Sequence, residues 1–506
     1  MTTTAGPTPA GTVERWDAVV VGGGVAGLVA ARELGIAGLR VLVLEARDAA
    51  GGAVRAHTVA GIRLDAGAES FATRGGTVAA LVDELGLAGR LAAPEPSGSW
   101  VHLPSGDGPL PRTGLLGIPS EPGADDVRRT LGAFGAWRAR LDLLLPERIG
   151  ARATTLGDLV RARMGRRVLD RLVRPIVGGV HAAEPDGLAI DAVAPGLSAA
   201  RAASGGSLAR AVVRLRSAAP AGSAVLGLDG GLHVLVDALT ADLAARGGEL
   251  RLRTSATSLT QDPGGQAYRV EARGRTGTSA IVTPRVVLAT PAAPALAAGL
   301  APALADVRLD DGALVTLVTL VLDEPALDGA PRGTGVLVAR EARDVQAKAL
   351  THATAKWAWT ARAAGAGRHV VRLSYGRADD ETAPGAATGA AGGATAADAT
   401  ARTPRGGTGP EPGDDALVET ALADASVLLG VPLDAQRVAG HAIVRWSQSL
   451  PRPSAAHRDA VASVRRAVAG LPGVAVCGAW VAGNGLASVV PDAREAARAL
   501  ARRNSF

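Results

Sequence analysis

The feature that most constrains this chain is an apolar run broken by three glycines. Trp16-Asp-Ala-Val-Val-Val-Gly22-Gly-Gly24-Val25-Ala26-Gly27 continues directly into Leu-Val-Ala-Ala-Arg-Glu-Leu34. From Ala18 to Val21 there is no polar face, which predicts a short strand covered on both sides. The three glycines follow in G-x-G-x-x-G spacing and open onto a helix-forming stretch, the context in which that motif carries meaning. Gly22 permits a tight turn, Gly24 lets an anion approach the backbone, and Gly27 lets the helix pack close to the strand. The first N–H groups of the helix then face the turn, where they favour phosphate.

A second strand, Arg40 to Leu44, ends at Glu45, 18 residues beyond Gly27. A carboxylate at this point takes ribose hydroxyls and disfavours a 2′-phosphate. Strand, turn, helix, strand and terminal acid together predict a Rossmann-type dinucleotide site. The fingerprint alone leaves NAD and FAD open.

Composition narrows the remaining classes. At 506 residues the chain exceeds one compact core, so two or three domains are expected. A hydrophobic share of 47% with 20% charged residues is a globular balance rather than a disordered one. Only Lys348 and Lys356 are lysines, and the net charge of +6 is scattered, which argues against a nucleic-acid partner. The single cysteine, Cys477, excludes a disulfide framework within the chain and points to a reducing cytoplasm. Eight histidines without metal-cage spacing predict no metal site, and no Ser-His-Asp or thiolate constellation argues for covalent catalysis. No window approaches 18 uninterrupted apolar residues, so no membrane span is expected, while peripheral membrane contact stays open.

Residues 1–12 read as a disordered leader and 381–415, almost wholly Ala, Gly, Thr, Pro and Asp, as a disordered surface insertion. From about Leu115 to Ala200 the pattern is chiefly helical. Strand-like runs at Ala18 to Val21, Arg40 to Leu44 and Val286 to Leu288 point to an α/β fold whose core strands are far apart in sequence.

Several blocks resemble the oxygen-dependent protoporphyrinogen and coproporphyrinogen III oxidases, flavoenzymes of the amine-oxidase superfamily. They are Gly51-Gly52 after Glu45, the segment Gly61 to Phe71 with Arg74 beyond it, Pro175 to Leu188, Gly227 to Leu235, Val286 to Pro291, and Arg445-Trp446 with Gly473 to Leu486. The Pro175 to Leu188 block is more distinctive of the porphyrinogen oxidases than of the superfamily. The chain departs from the pattern at Ala49 and Ala53, where arginines are usual, and at Ala487-Ser488.

The resemblance implies non-covalent FAD. Its contacts would come from Gly22, Gly24, Val25, Ala26, Gly27, Glu45, Ala46, Gly51, Gly52, Ala256, Gly478, Gly483, Gly485 and Leu486. Trp446 is either a flavin-edge contact or a core side chain. It implies a porphyrinogen substrate, with Arg74 on a propionate and His181 as a second substrate residue, each set against a plain surface or structural role. Oxygen would be the acceptor and hydrogen peroxide the product, with no catalytic side chain beyond the flavin. The implied domains are an FAD-binding one (13–65, 228–297 and 441–506), a substrate-binding one of α+β type (66–112, 200–227 and 298–440) and a helical one (113–199). An amine oxidase or carotenoid desaturase is the first rival reading, and a non-catalytic porphyrin-binding module the second.

Overall fold

In the computed structural model the described residues are 13–181, 184–218, 225–309, 314–376, 413–446 and 455–502; both stretches expected to be disordered fall outside them wholly or in large part. The expected α/β core is present. Five parallel strands lie in the order Glu249–Arg251, Val41–Leu44, Ala18–Val21, Val286–Leu288, Val474–Val476. Numbered in chain order the strands lie 3-2-1-4-5, and the core joins segments more than 400 residues apart.

The unbroken apolar runs are explained by what covers the sheet. Val20, Val41, Val43 and Val287 face the helices Val25–Ile36, Val234–Ala245 and Leu486–Arg502. Their neighbours Val19, Val21, Leu42, Leu44 and Leu288 face the opposite way. There they meet the sheet that contains Ser255–Gln261, Tyr268–Gly274 and Gly277–Thr283. A strand buried on both faces has no polar alternation to display.

A second body is built on a seven-stranded sheet ordered Val438–Trp446, Val315–Asp323, Arg368–Tyr375, Ala349–His352, Gly335–Val338, Trp100–Leu103, Gly106–Pro109. Its pairings are antiparallel except between Gly335–Val338 and Trp100–Leu103. Helix Asp414–Leu429 packs on it and is fastened by Asp424, which accepts from the Gln346 and Ala347 N–H groups and from the Tyr375 hydroxyl. The strand Val438–Trp446 delivers Trp446 to the first body, where its indole Nε1–H donates to the Ala66 carbonyl at 3.3 Å.

The helical region includes Asp125–Arg140, Leu156–Met164, Arg174–His181 and Leu208–Ala218, packed around Leu131, Leu159, Leu172 and Val212. At its centre lies an ion pair with no solvent exposure. Arg163 donates from Nε to Asp142 Oδ1 at 2.7 Å and from Nη2 to the Asp142 carbonyl at 2.6 Å. Asp142 also accepts from the Ser207 hydroxyl and the Leu208 and Ala209 N–H groups. No helix among the described residues is long and apolar enough to cross a membrane.

Removing one partner of such a pair leaves a buried charge without compensation. Arg163→Ala is therefore expected to cost about 3–5 kcal/mol of stability, measured as a lower urea midpoint, whereas Arg166→Ala on the exposed face should change it little.

Candidate functional site

The turn after Ala18–Val21 is set by where a Cβ cannot go. Gly22 stands at φ 110°, and a Cβ there would lie 2.7 Å from the Ala289 carbonyl oxygen. On Gly27 it would lie 1.9 Å from the Gly22 oxygen, so the helix can sit this close only without a side chain. Val25 and Ala26 bury the first turn of helix Val25–Ile36. Gly24 faces Gly51 across an isolated parallel bridge, and the Gly51 N–H donates to the Gly23 carbonyl at 2.8 Å. Gly52 approaches Gly24 so closely that a Cβ on it would lie 3.3 Å from the Gly24 Cα. Two glycine turns thus meet backbone to backbone at the mouth of the parallel sheet.

Glu45 follows Val41–Leu44 and turns back on this mouth. One carboxylate oxygen accepts from the Gly23 N–H at 2.8 Å and the other from the Arg47 N–H at 2.9 Å. Its carbonyl accepts from the Thr254 N–H, which brings Ala256, two residues on, toward the same end of the sheet as Ala46. The C-terminal glycines complete the arc. Gly478 stands at φ 124° beside Ala26, whose Cβ is 3.9 Å from the position a Gly478 Cβ would occupy. Gly483 and Gly485 are exposed, with left-handed φ of 85° and 94° and open space around them, and Leu486 begins helix Leu486–Arg502. The Trp480 Nε1 beside Gly478 is buried with no partner. A glycine-lined strip of free backbone and an unsatisfied buried donor fit a long anionic dinucleotide.

Trp446 is buried, with Gly67 against its ring and the guanidiniums of Arg55 and Arg47 at 4.9 and 5.9 Å from its centroid. Burial pushes the Arg55 guanidinium down, and Arg47 adds to the effect. Arg74 is exposed and reaches the first turn of Leu486–Arg502, its Nη2 lying 3.5 Å from the Ser488 hydroxyl. His181 ends helix Arg174–His181, and its side chain lies outside the described residues. Cys477 is fully buried, and burial pushes its thiol up, as expected of an inert side chain. Among the described residues no group of His, Cys, Asp or Glu could hold a metal ion.

Sequence reasoning missed two clusters beside this arc. Asp65 accepts from the Leu232 and His233 N–H groups and pairs with the His233 ring at 2.8 Å, which fastens the start of Val234–Ala245 to the strand Ile62–Asp65. Four residues on, Glu69 pairs with Lys356 and, at 3.2 Å, with Arg372. Burial pushes the Glu69 carboxyl up, but the two cations outweigh it and hold it at about 2. Arg372 also donates to the Gly67 carbonyl at 2.8 Å. The one local signal was that Lys356 is one of two lysines. His57, on the strand paired with Ile62–Asp65, has both ring nitrogens buried without partners, and burial together with Arg372 pushes it down to about 4.

Residues 25–503 match the family described as flavin containing amine oxidoreductase. A coproporphyrinogen III oxidase of Mycobacterium tuberculosis (strain ATCC 25618 / H37Rv) is 32% identical over 94% of this chain and 95% of its own length. One of Bacillus subtilis (strain 168) is 23% identical over 94% and 96%. Among solved structures, a protoporphyrinogen oxidase candidate from Exiguobacterium sp. 255-15 superposes with a TM-score of 0.75 at 24% identity, covering 97% of this chain and 99% of that one. Cyclohexylamine oxidase from Brevibacterium oxydans IH-35A has the same fold, with a TM-score of 0.58 at 16% identity over 96% and 98%.

Gly27→Ala is expected to force the helix off the turn, and the purified variant should lack the flavin absorbance of the parent. His57 predicts an acid effect with a definite sign. Its pKa lies below the unfolded value, so its contribution is intact above about pH 6.5 and is lost as pH falls toward 4, by up to about 3 kcal/mol. Urea unfolding at neutral pH and at about pH 5 should show a smaller acid loss for His57→Gln than for the parent.

Proposed function

The chain belongs to the flavin containing amine oxidoreductase family and, within it, to the coproporphyrinogen III oxidases, and on that premise we propose the reaction it performs. It dehydrogenates coproporphyrinogen III to coproporphyrin III, or protoporphyrinogen IX to protoporphyrin IX, on non-covalently held FAD, with oxygen as acceptor and hydrogen peroxide as product. The observation that carries this reading is the continuity of the likeness, which spans 94% of the chain and so includes the middle region as well as the cofactor-binding ends. Cyclohexylamine oxidase shares the fold over 96% of this chain, but at only 16% identity.

The bound flavin supplies the two-electron acceptor. The chain's own residues supply position. The Gly22, Gly24 and Gly27 turn with the first N–H groups at Val25 and Ala26 would hold the pyrophosphate, and Gly51 and Gly52 would close over it. Glu45 would take the ribose, flanked by Ala46 and Ala256. Gly478, Gly483, Gly485 and Leu486 would line the other end, with Trp446 packed behind the Ala66 to Gly67 turn. We assign residues 13–65, 228–297 and 441–506 to the FAD-binding body, 66–112, 200–227 and 298–440 to substrate binding, and 113–199 to the helical body. A reducing cytoplasm is the proposed compartment.

Arg74, exposed and paired only weakly to Ser488, is free to take a substrate propionate, and His181 is a second candidate on the helical side. With no reacting side chain required, the protein's share is orientation, electrostatics and exclusion of competing reactions.

Purified protein given each porphyrinogen in air should generate porphyrin fluorescence and peroxide. If neither is consumed faster than its spontaneous oxidation, the reading falls. Arg74→Ala should lower kcat/KM by an amount worth about 1.5–3 kcal/mol at constant flavin content, and Arg74→Lys should recover part of it. Parental kcat/KM in Arg74→Ala would make Arg74 a solvated loop residue.

A further inference from the structure

A cleft of about 500 Å³ opens where the edge of the seven-stranded sheet meets the start of helix Asp125–Arg140. Small-molecule sites typically measure about 300–1,000 Å³. Trp100, Pro109 and Leu110 make the apolar part of its lining, and Arg112 and Arg129 the cationic part. The register of the sheet fixes which face this is. Trp100 stands opposite Val336, Val336 opposite Leu350, and Leu350 opposite Leu373, so the four share one face. Arg372, beside Leu373 in the chain, points the other way and reaches the Gly67 carbonyl. The cleft therefore lies on the side of the sheet turned away from the glycine arc.

Its walls are preformed. The Gly98 carbonyl accepts from the Thr334 N–H at 2.8 Å, the Ser99 and Thr334 hydroxyls lie 3.0 Å apart, and the Ser99 carbonyl accepts from the Leu110 N–H at 2.8 Å. Gly333 stands at φ 59°, and a Cβ there would lie 2.4 Å from the Gly98 oxygen, so two loops close on each other backbone to backbone. Trp100 is braced from behind. The Arg332 guanidinium, which does not line the cleft, sits 4.6 Å from the ring centroid and pairs with Asp107 at 2.7 Å. Asp107 in turn holds the His102 ring at 2.6 Å. One face of the indole is thus covered by a fixed cation, and the rest of the half-buried ring borders the cleft.

The open valences of the lining are cationic. Asp126 accepts from the Arg112 N–H at 3.0 Å with one oxygen and from the Val127 N–H at 2.8 Å with the other, so its own turn occupies it. The Asp125 side chain is 81% exposed and lies 3.5 Å from Arg128. Arg112 and Arg129 are exposed and meet no side-chain partner among the described residues. A guanidinium fork matches a carboxylate, and an indole face matches a flat conjugated ring.

We infer that this cleft is a binding site, separate from the glycine arc, for a flat aromatic carboxylate. The ring lies against Trp100 between Pro109 and Leu110, and the Arg112 and Arg129 guanidiniums take the carboxylate. A free aromatic acid and a carboxylated porphyrin share this chemistry.

Equilibrium dialysis of the flavin-loaded full chain against fluorescent anthracene-9-carboxylate tests the site. The parent should bind it saturably, and neutral 9-anthracenemethanol about tenfold more weakly. Arg112→Ala with Arg129→Ala should lower affinity for the acid about tenfold and erase its advantage over the alcohol, at parental thermal midpoint and flavin content. Trp100→Leu, which keeps apolar bulk, should weaken acid and alcohol alike. Coproporphyrin III that displaces the probe supports a porphyrin occupant, and failure to displace it supports the smaller acid. Absence of saturable binding in the parent overturns the inference. So does equal affinity in the parent and the double arginine variant, which would place the acid elsewhere. Because the probe is no substrate, a chain that fails to oxidise either porphyrinogen and still shows the arginine-dependent binding would remove the proposed reaction and leave this site standing.

Discussion

The site rests on a contact between two stretches of backbone. Helix Val25–Ile36 crosses the end of strand Ala18–Val21 at a separation where a Cβ on Gly27 would fall 1.9 Å from the Gly22 carbonyl oxygen. That separation lets Leu28 and Ala31 bury fully against the sheet while the first turn keeps its N–H groups pointed at the glycine mouth. The facing Gly24, Gly51 and Gly52 then leave the mouth lined by main chain rather than side chain. A large residue at any of these places would fill the groove or tilt the helix, so the packing requirement and the proposed anion-binding requirement are one requirement.

A second set of interactions holds the other bodies to this mouth. Asp65 links the strand Ile62–Asp65 to the start of Val234–Ala245, and Arg372 reaches from the seven-stranded sheet to the Gly67 carbonyl. Burial pushes the Glu69 carboxyl up, and Lys356 and Arg372 outweigh that push and keep it ionised. Ion pairs of this kind add little net stability when compared with apolar packing, but they fix registry, because either partner alone is an uncompensated charge. The turn from Asp65 to Phe71 is thereby locked between two bodies, and Arg74 projects from its end toward Leu486–Arg502.

What could be read in advance followed local rules. Ala18–Val21, Val41–Leu44 and Val286–Leu288 are apolar runs, and each announces a strand buried on both faces. The outer strand Glu249–Arg251 is three residues with a charge at each end, and nothing in such a triplet distinguishes strand from loop. The places of the glycines at the strand-to-helix turn and of Glu45 at the strand end were legible because they depend on spacing along the chain. Asp65 with His233 and Glu69 with Lys356 are 168 and 287 residues apart, so only the assembled fold pairs them. Trp446 was ambiguous for a related reason, since its neighbours Ala66 and Gly67 are about 380 residues away.

Glu45 shows how such a site can be prepared before its ligand arrives. An ionised carboxylate offers about four lone-pair positions. Two of them accept from the Gly23 and Arg47 N–H groups, so the side chain is held by the same glycine turn that is proposed to hold the phosphates. The remaining two match the two hydroxyl donors of a ribose diol. A glutamine in this place would present one oxygen and an NH2 group, and one of the two backbone N–H groups would then face a donor. The acid is thus required by the protein's own turn as well as by the proposed sugar contact, and this double demand ties the presence of Glu45 to the conformation of Gly22 through Gly24.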